Sequence, residues 1–157
     1  MSVLLLGYGN PARRDDGLGP AFAEEVGRLG LDLTVDSNYQ LAAEDAETLS
    51  RHDQVVLVDA TTDGPEPFAF ERLQSEPDWS ISTHSISPGA LLALTREAFG
   101  REPECFVLGI RGYQFEHFTE DLTPAARANL EKALVFFQSW LRDTGRTSAP
   151  AAGKEER

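Results

Sequence analysis

Apolar residues in this chain fall into short runs with two different periods, separated by glycine, proline and charged residues. Residues 3–6 (VLLL), 54–59 (QVVLVD) and 105–110 (CFVLGI) are nearly continuous apolar runs of the length that suits buried parallel strands. Residues 33–36 (LTVD) read as another short strand. Residues 68–73 (FAFERL) alternate apolar with polar, which predicts a strand with one solvated face. Between these runs the period changes to that of a helix. Ala21, Phe22, Val26 and Leu29 mark a first helix, and residues 42–51 (AAEDAETLSR) are good helix formers anchored by Leu41 and Leu49. Ser87 and Pro88 open a third helix through Leu91, Leu92, Leu94 and Phe99, with serine as the cap and proline in the first position. Thr123 and Pro124 repeat that signature before a long helix over 125–142, whose stripe is Leu130, Leu134, Phe137 and Leu141.

Strands alternating with helices predict an α/β fold: a three-layer sandwich with a mostly parallel twisted sheet and helices on both faces. The 157-residue chain is expected to form one domain over 1–143, followed by a flexible C-terminal tail at 144–157 (TGRTSAPAAGKEER). Its longest apolar runs fall far short of the ~20 residues that span a bilayer. No basic segment with an apolar core opens the chain, so a cytoplasmic location is expected. Fourteen basic against 26 acidic residues give a net charge of -12, which argues against nucleic-acid or membrane-surface partners and tolerates a metal cation or a basic partner. Cys105 is the single cysteine and falls inside a predicted strand, where it reads as a small core residue.

In a parallel sheet the loops after the strands gather along one edge. Three places on that edge carry strong ligand or acid/base groups. Asp15 and Asp16 follow the first strand and its glycine turn (Gly7, Gly9). Asp59 ends the apolar strand, and His84 precedes the proline-started helix. An aspartate ending an apolar strand is poorly solvated and needs a proton, a positive partner or a cation, although turn capping explains it equally well. Together, one imidazole and two carboxylates form a nitrogen/oxygen site with vacant coordination positions, suited to zinc or nickel. His52 and His117 are expected at the surface. A competing reading is a nucleotide- or dinucleotide-binding module, since residues 7–12 satisfy a relaxed G-x-G-x-x-(G/A) fingerprint with Asp32 or Asp36 near the ribose distance. Pro11 lacks an N–H where a pyrophosphate wants donors, and Asp15 and Asp16 repel it; Arg13 and Arg14 offset part of that repulsion.

The stretch G-Y-G-N-x-x-x-x-D-D-G-x-G at 7–19 resembles the opening of the hydrogenase maturation proteases, the endopeptidases of [NiFe] hydrogenases. VVLVDA at 55–60, STHSISPGALLAL at 82–94 and LTPAARANLEKAL at 122–134 agree with it in order and spacing. The resemblance implies a three-layer α/β fold with Asp16, Asp59 and His84 as metal ligands and catalytic residues, and Asp15 as a supporting or helix-capping residue. It further implies removal of a C-terminal extension from the hydrogenase large-subunit precursor once nickel is installed. The nickel would be carried by that substrate, with zinc or cadmium able to replace it in a crystal. Monomeric action is expected, and a metal-site adaptor that docks without cutting is a further alternative. Tyr113 and Phe115 could line a peptide groove or pack at a strand end.

Overall fold

A computed structural model describes residues 1–76 and 86–147. Five strands form one sheet: β1 (Val3–Tyr8), β2 (Thr34–Asn38), β3 (Gln54–Thr61), β4 (Phe68–Arg72) and β5 (Glu104–Arg111). Their spatial order is β2-β1-β3-β5-β4, with β4 antiparallel to β5 and every other pairing parallel. The helices are α1 (Leu18–Arg28), α2 (Asp45–Ser50), α3 (Pro88–Phe99) and α4 (Pro124–Thr147). None of them is long and apolar enough to cross a membrane.

The two-residue period of the strands assigns each side chain to a layer. Leu5, Val56, Val58, Leu108 and Ile110 point to one face, where Phe22 and Val26 of α1 meet Leu130 and Phe137 of α4. Leu4, Leu6, Val55, Leu57 and Cys105 point to the other, against Leu49 of α2 and Leu91 and Leu92 of α3. Both faces are covered, which is why the central strands read as continuous apolar runs. Burial pushes the Cys105 thiol up to about 12, so it serves as a core residue.

Caps and edges account for where the boundaries fall. The Ser87 hydroxyl accepts the Ala90 N–H (3.2 Å) and Pro88 begins α3; the Thr123 hydroxyl accepts the Ala126 N–H (3.2 Å) at the start of α4. Helix α2 is shorter than its composition predicts. The Asp45 carboxylate turns back to accept the Ala42 N–H (2.9 Å) and the Asn38 amide (3.0 Å), fixing residues 42–44 as a turn. Strand β4 presents Phe68 and Phe70 to Phe136 and Trp140 of α4, while Glu71 and Arg72 are exposed at the sheet edge. Helix α4 continues to Thr147, into the segment expected from residue 144 to be a tail, and residues 148–157 lie outside the described residues. Nothing in the sequence from 144 to 147 breaks a helix as proline would.

Candidate active site

Strand order reverses between β1 and β3: the chain leaves β1 toward β2, then returns to the other side of β1. At such a reversal the following connections diverge to opposite faces and leave a crevice beyond the carboxyl ends of the strands. A cleft of about 480 Å³ opens there, and Tyr8, Asn10, Arg13, Asp16, Tyr39 and Asp59 line it. Asp16 and Asp59, 43 positions apart, therefore meet at one rim. His84 lies outside the described residues. Among the described residues no group of three or more His, Cys, Asp or Glu is placed to hold a metal ion.

Asp59 continues β3 beyond its apolar part, in register with Gly109 of β5. Its Oδ1 accepts the Ala60 N–H (2.8 Å), and the Tyr8 hydroxyl donates to the same carboxylate. Tyr8 ends β1, the strand paired beside β3, so the bond closes across the reversal. Burial and the nearby Asp16 charge push the Asp59 carboxyl up to about 6, against the pull of the Ala60 N–H and the Tyr8 hydroxyl. Burial and the Asp59 charge raise the Tyr8 phenol likewise, so it stays a donor. Two carboxylates that repel each other in a half-buried cleft would be relieved by a cation. Oxygen donors are what a divalent metal of the zinc–nickel type accepts alongside imidazole.

Asp16 is placed by its loop. A single 3-10 turn (Arg14–Gly17) links β1 to α1, and Asp16 Oδ2 accepts the Asn10 N–H (2.8 Å). The Arg13 guanidinium stands 4.0 Å from the same oxygen. Asp15 points the opposite way and is fully buried. Its carboxylate accepts the N–H groups of Tyr113 (2.8 Å), Gln114 (3.1 Å) and Thr123 (2.8 Å) and the Thr123 hydroxyl (2.8 Å). Burial alone would raise its pKa, but these four donors outweigh it and hold Asp15 below the usual carboxylate range. Asp15 thus supports the site by tying the loop after β5, and the Thr123 cap of α4, to the loop that carries Asp16.

The same loop disposes of the phosphate-binding reading. Gly9 N–H donates to Asn38 O (3.1 Å), Asn10 N–H to Asp16, Ala12 N–H to Asn10 Oδ1 (2.9 Å) and Arg13 N–H to Asn10 O (3.0 Å). Arg14, Asp15 and Asp16 donate to the carbonyls of Thr119, Gln114 and Arg13, and Pro11 has no N–H. Every backbone N–H from residue 9 to 16 is committed, so no main-chain cradle remains for a pyrophosphate. The glycines serve close packing instead. A Cβ on Gly7 would overlap the Gly19 carbonyl of α1, and one on Gly9 (φ 146°) would overlap that of Asp16.

Tyr113 packs at a strand end. Its hydroxyl donates to Glu66 (2.6 Å) and accepts from Asn129 (2.9 Å), under the Arg111 guanidinium 5.1 Å from its ring centre. His117 is exposed, whereas His52 is half-buried beside the opposite, amino end of β3. Tyr8 is the site residue that sequence reasoning missed. The signal available was its position, two residues past the apolar run and level with Asp59 on the neighbouring strand.

No protein-family model and no curated protein matches this chain by sequence. Solved structures do match it over nearly their whole length. A [NiFe] hydrogenase maturation protease HycI from Thermococcus kodakarensis KOD1 superposes with a TM-score of 0.72 at 20% identity, covering 90% of this chain and 92% of the other. The hydrogenase maturating endopeptidase HybD from E. coli gives 0.73 at 23% identity, covering 92% and 94%. A solution structure of an endopeptidase from Escherichia coli gives 0.70 at 24% identity, with the same coverage of 92% and 94%. The fold is that of the hydrogenase maturation proteases.

Proposed function

We propose that this protein is an endopeptidase that removes the C-terminal extension of a [NiFe] hydrogenase large-subunit precursor. The observation that carries the reading is the meeting of Asp16 and Asp59 in the cleft at the β1/β3 reversal, within a fold shared with maturation proteases along about nine-tenths of both chains. Acting as a monomer in the cytoplasm, it would use Asp16, Asp59 and His84 as ligands to the nickel carried by the precursor. The protease supplies oxygen and nitrogen and no thiolate, so a nickel already held by precursor cysteines would complete its coordination across the two proteins. Zinc or cadmium would occupy the same ligands in a crystal.

Within the cleft each group has a distinct task. Asp16 is held toward the rim by Asn10, which orients one carboxylate edge outward. Asp59, raised to about 6 by burial and the Asp16 charge in the metal-free protein, would give one oxygen to the cation and leave the other to accept a proton from an attacking water. Tyr8 fixes the Asp59 carboxylate by donating its proton to it, and the raised phenol stays uncharged, so it brings no competing phenolate to the cleft. The bond broken is the precursor peptide bond, and the water supplies the new carboxyl and amine termini.

Mass spectrometry of the precursor C-terminus tests this directly. The protein should shorten nickel-loaded precursor and leave nickel-free precursor intact. Asp16→Ala, Asp59→Ala and His84→Ala should each keep a cooperative unfolding transition and lose processing by at least about a hundredfold. Normal processing by all three variants would falsify the assignment. A stable complex with the precursor that never shortens it would make the protein an adaptor.

A further inference from the structure

Phe118 is the most exposed large apolar residue described, at 94%. Its backbone has φ 62°, a region that a bulky side chain enters only when its surroundings compel it. Those surroundings are explicit. On one side, Thr119 bridges the Asp16 loop: its N–H donates to Ala12 O (3.0 Å) and its carbonyl accepts the Arg14 N–H (2.7 Å). On the other, Gln114 O accepts the Asp15 N–H (2.9 Å), and the Asp15 carboxylate holds the N–H groups of Tyr113 and Gln114. Arg14, the other non-glycine residue of positive φ among those described, stands at this same bridge (φ 50°). Strain on both sides of one contact, around a phenylalanine turned fully to water, has no benefit for the isolated fold. It presents a rigid aromatic knob from the segment braced against the loop of Asp16.

We propose that Phe118 is the docking anchor for the large-subunit precursor, seating in an apolar socket rimmed by lysine or arginine close to the segment to be cut. The inference rests on the proteolytic reading and names the contact that reading lacks. Charge selects the occupant. Exposed Glu120 and Asp121 follow the knob closely in the chain, and exposed Glu116, paired with Arg14 at 3.4 Å, precedes it, so a complementary socket is basic at its rim. A second copy of this chain would bring the same acidic residues, and a net charge of -12, against itself. Anionic lipid is repelled in the same way. A preorganised aromatic surrounded by polar residues is the usual form of an energetic hot spot.

Two variants test the proposal on the full chain with nickel-loaded precursor as probe. Phe118→Asn removes the ring but tolerates positive φ, and Phe118→Trp keeps an aromatic. For Phe118→Asn, KM and the precursor Kd should rise about tenfold or more with kcat unchanged, and the melting midpoint should hold or rise. Phe118→Trp should restore KM to within about threefold of the parent. Unchanged KM and Kd in Phe118→Asn, or a fall confined to kcat, would overturn docking while leaving proteolysis standing. A parent that binds precursor through Phe118 without cutting it would sustain docking and overturn proteolysis; one that does neither overturns both. A parent dimer that Phe118→Asn dissociates, with KM unaltered, would reassign the knob to self-association.

Discussion

A 3-10 turn advances about 120° per residue, so two adjacent aspartates in such a turn must face different surroundings. Asp16 reaches the cleft and Asp15 the interior, and their predicted behaviours diverge accordingly. Asp15→Ala leaves three backbone N–H groups and a hydroxyl without their acceptor. It should cost about 3 kcal/mol or more in urea unfolding at pH 7. Because the folded pKa of Asp15 is depressed, its contribution is present above the unfolded value and disappears as pH falls through the folded one. The variant should therefore also lose part of the acid limb of the stability curve. Asp59 has the opposite sign. Its pKa is raised to about 6, so it favours the fold below the unfolded value, and that advantage is lost as pH rises through about 6. In metal-free protein with chelator present, Asp59→Asn should add about 1–3 kcal/mol at pH 7 and flatten the decline between pH 4 and 6. An unchanged pH profile in that variant would show that Asp59 is not the strained carboxylate described above. Sequence reasoning reached Asp59 and Asp16 because a charge ending an apolar run and a charge beside a glycine turn are both costly in place. Composition and spacing alone did not separate Asp15 from Asp16, since the turn that sends them apart leaves no periodic trace; only the family resemblance implied different roles for the two.

At the scale of elements, backbone proximity decides more than propensity. Helix α1 starts almost in contact with β1 and β3. A Cβ on Gly19 would stand 2.6 Å from the Val58 carbonyl oxygen and nearer still to that of Tyr8. Gly19→Ala should push α1 off the sheet and cost about 3 kcal/mol or more, read as a fall in the urea midpoint. By contrast, a Cβ on Gly27, later in the same helix, meets nothing within 4 Å, so Gly27→Ala is the matched control and should be neutral or stabilising. The strands of the central sheet were legible as apolar runs because both faces are covered, and α3 and α4 were legible from their caps. The ends were less so. Strand β2 runs from Thr34 to Asn38, later than its apolar residues suggest, because its pairing with β1 continues through Ser37 and Asn38. Helix α2 lost its first turn to Asp45, a long-range and side-chain decision invisible to periodicity.

For the whole molecule, strand order determines where chemistry is possible, and surface charge determines what can approach. The reversal between β1 and β3 opens the cleft, while 26 acidic against 14 basic residues bias its visitors toward positive charge. The contact between Asp16 and the Asn10 N–H adds a local consequence. In nucleotide-binding glycine turns that donor greets a phosphate from solution; here the guest is a carboxylate carried on the same loop. A competitor on so short a tether acts at a local concentration set by the loop and never diffuses away. Free phosphates are thereby shut out of a turn whose glycine spelling advertises for them.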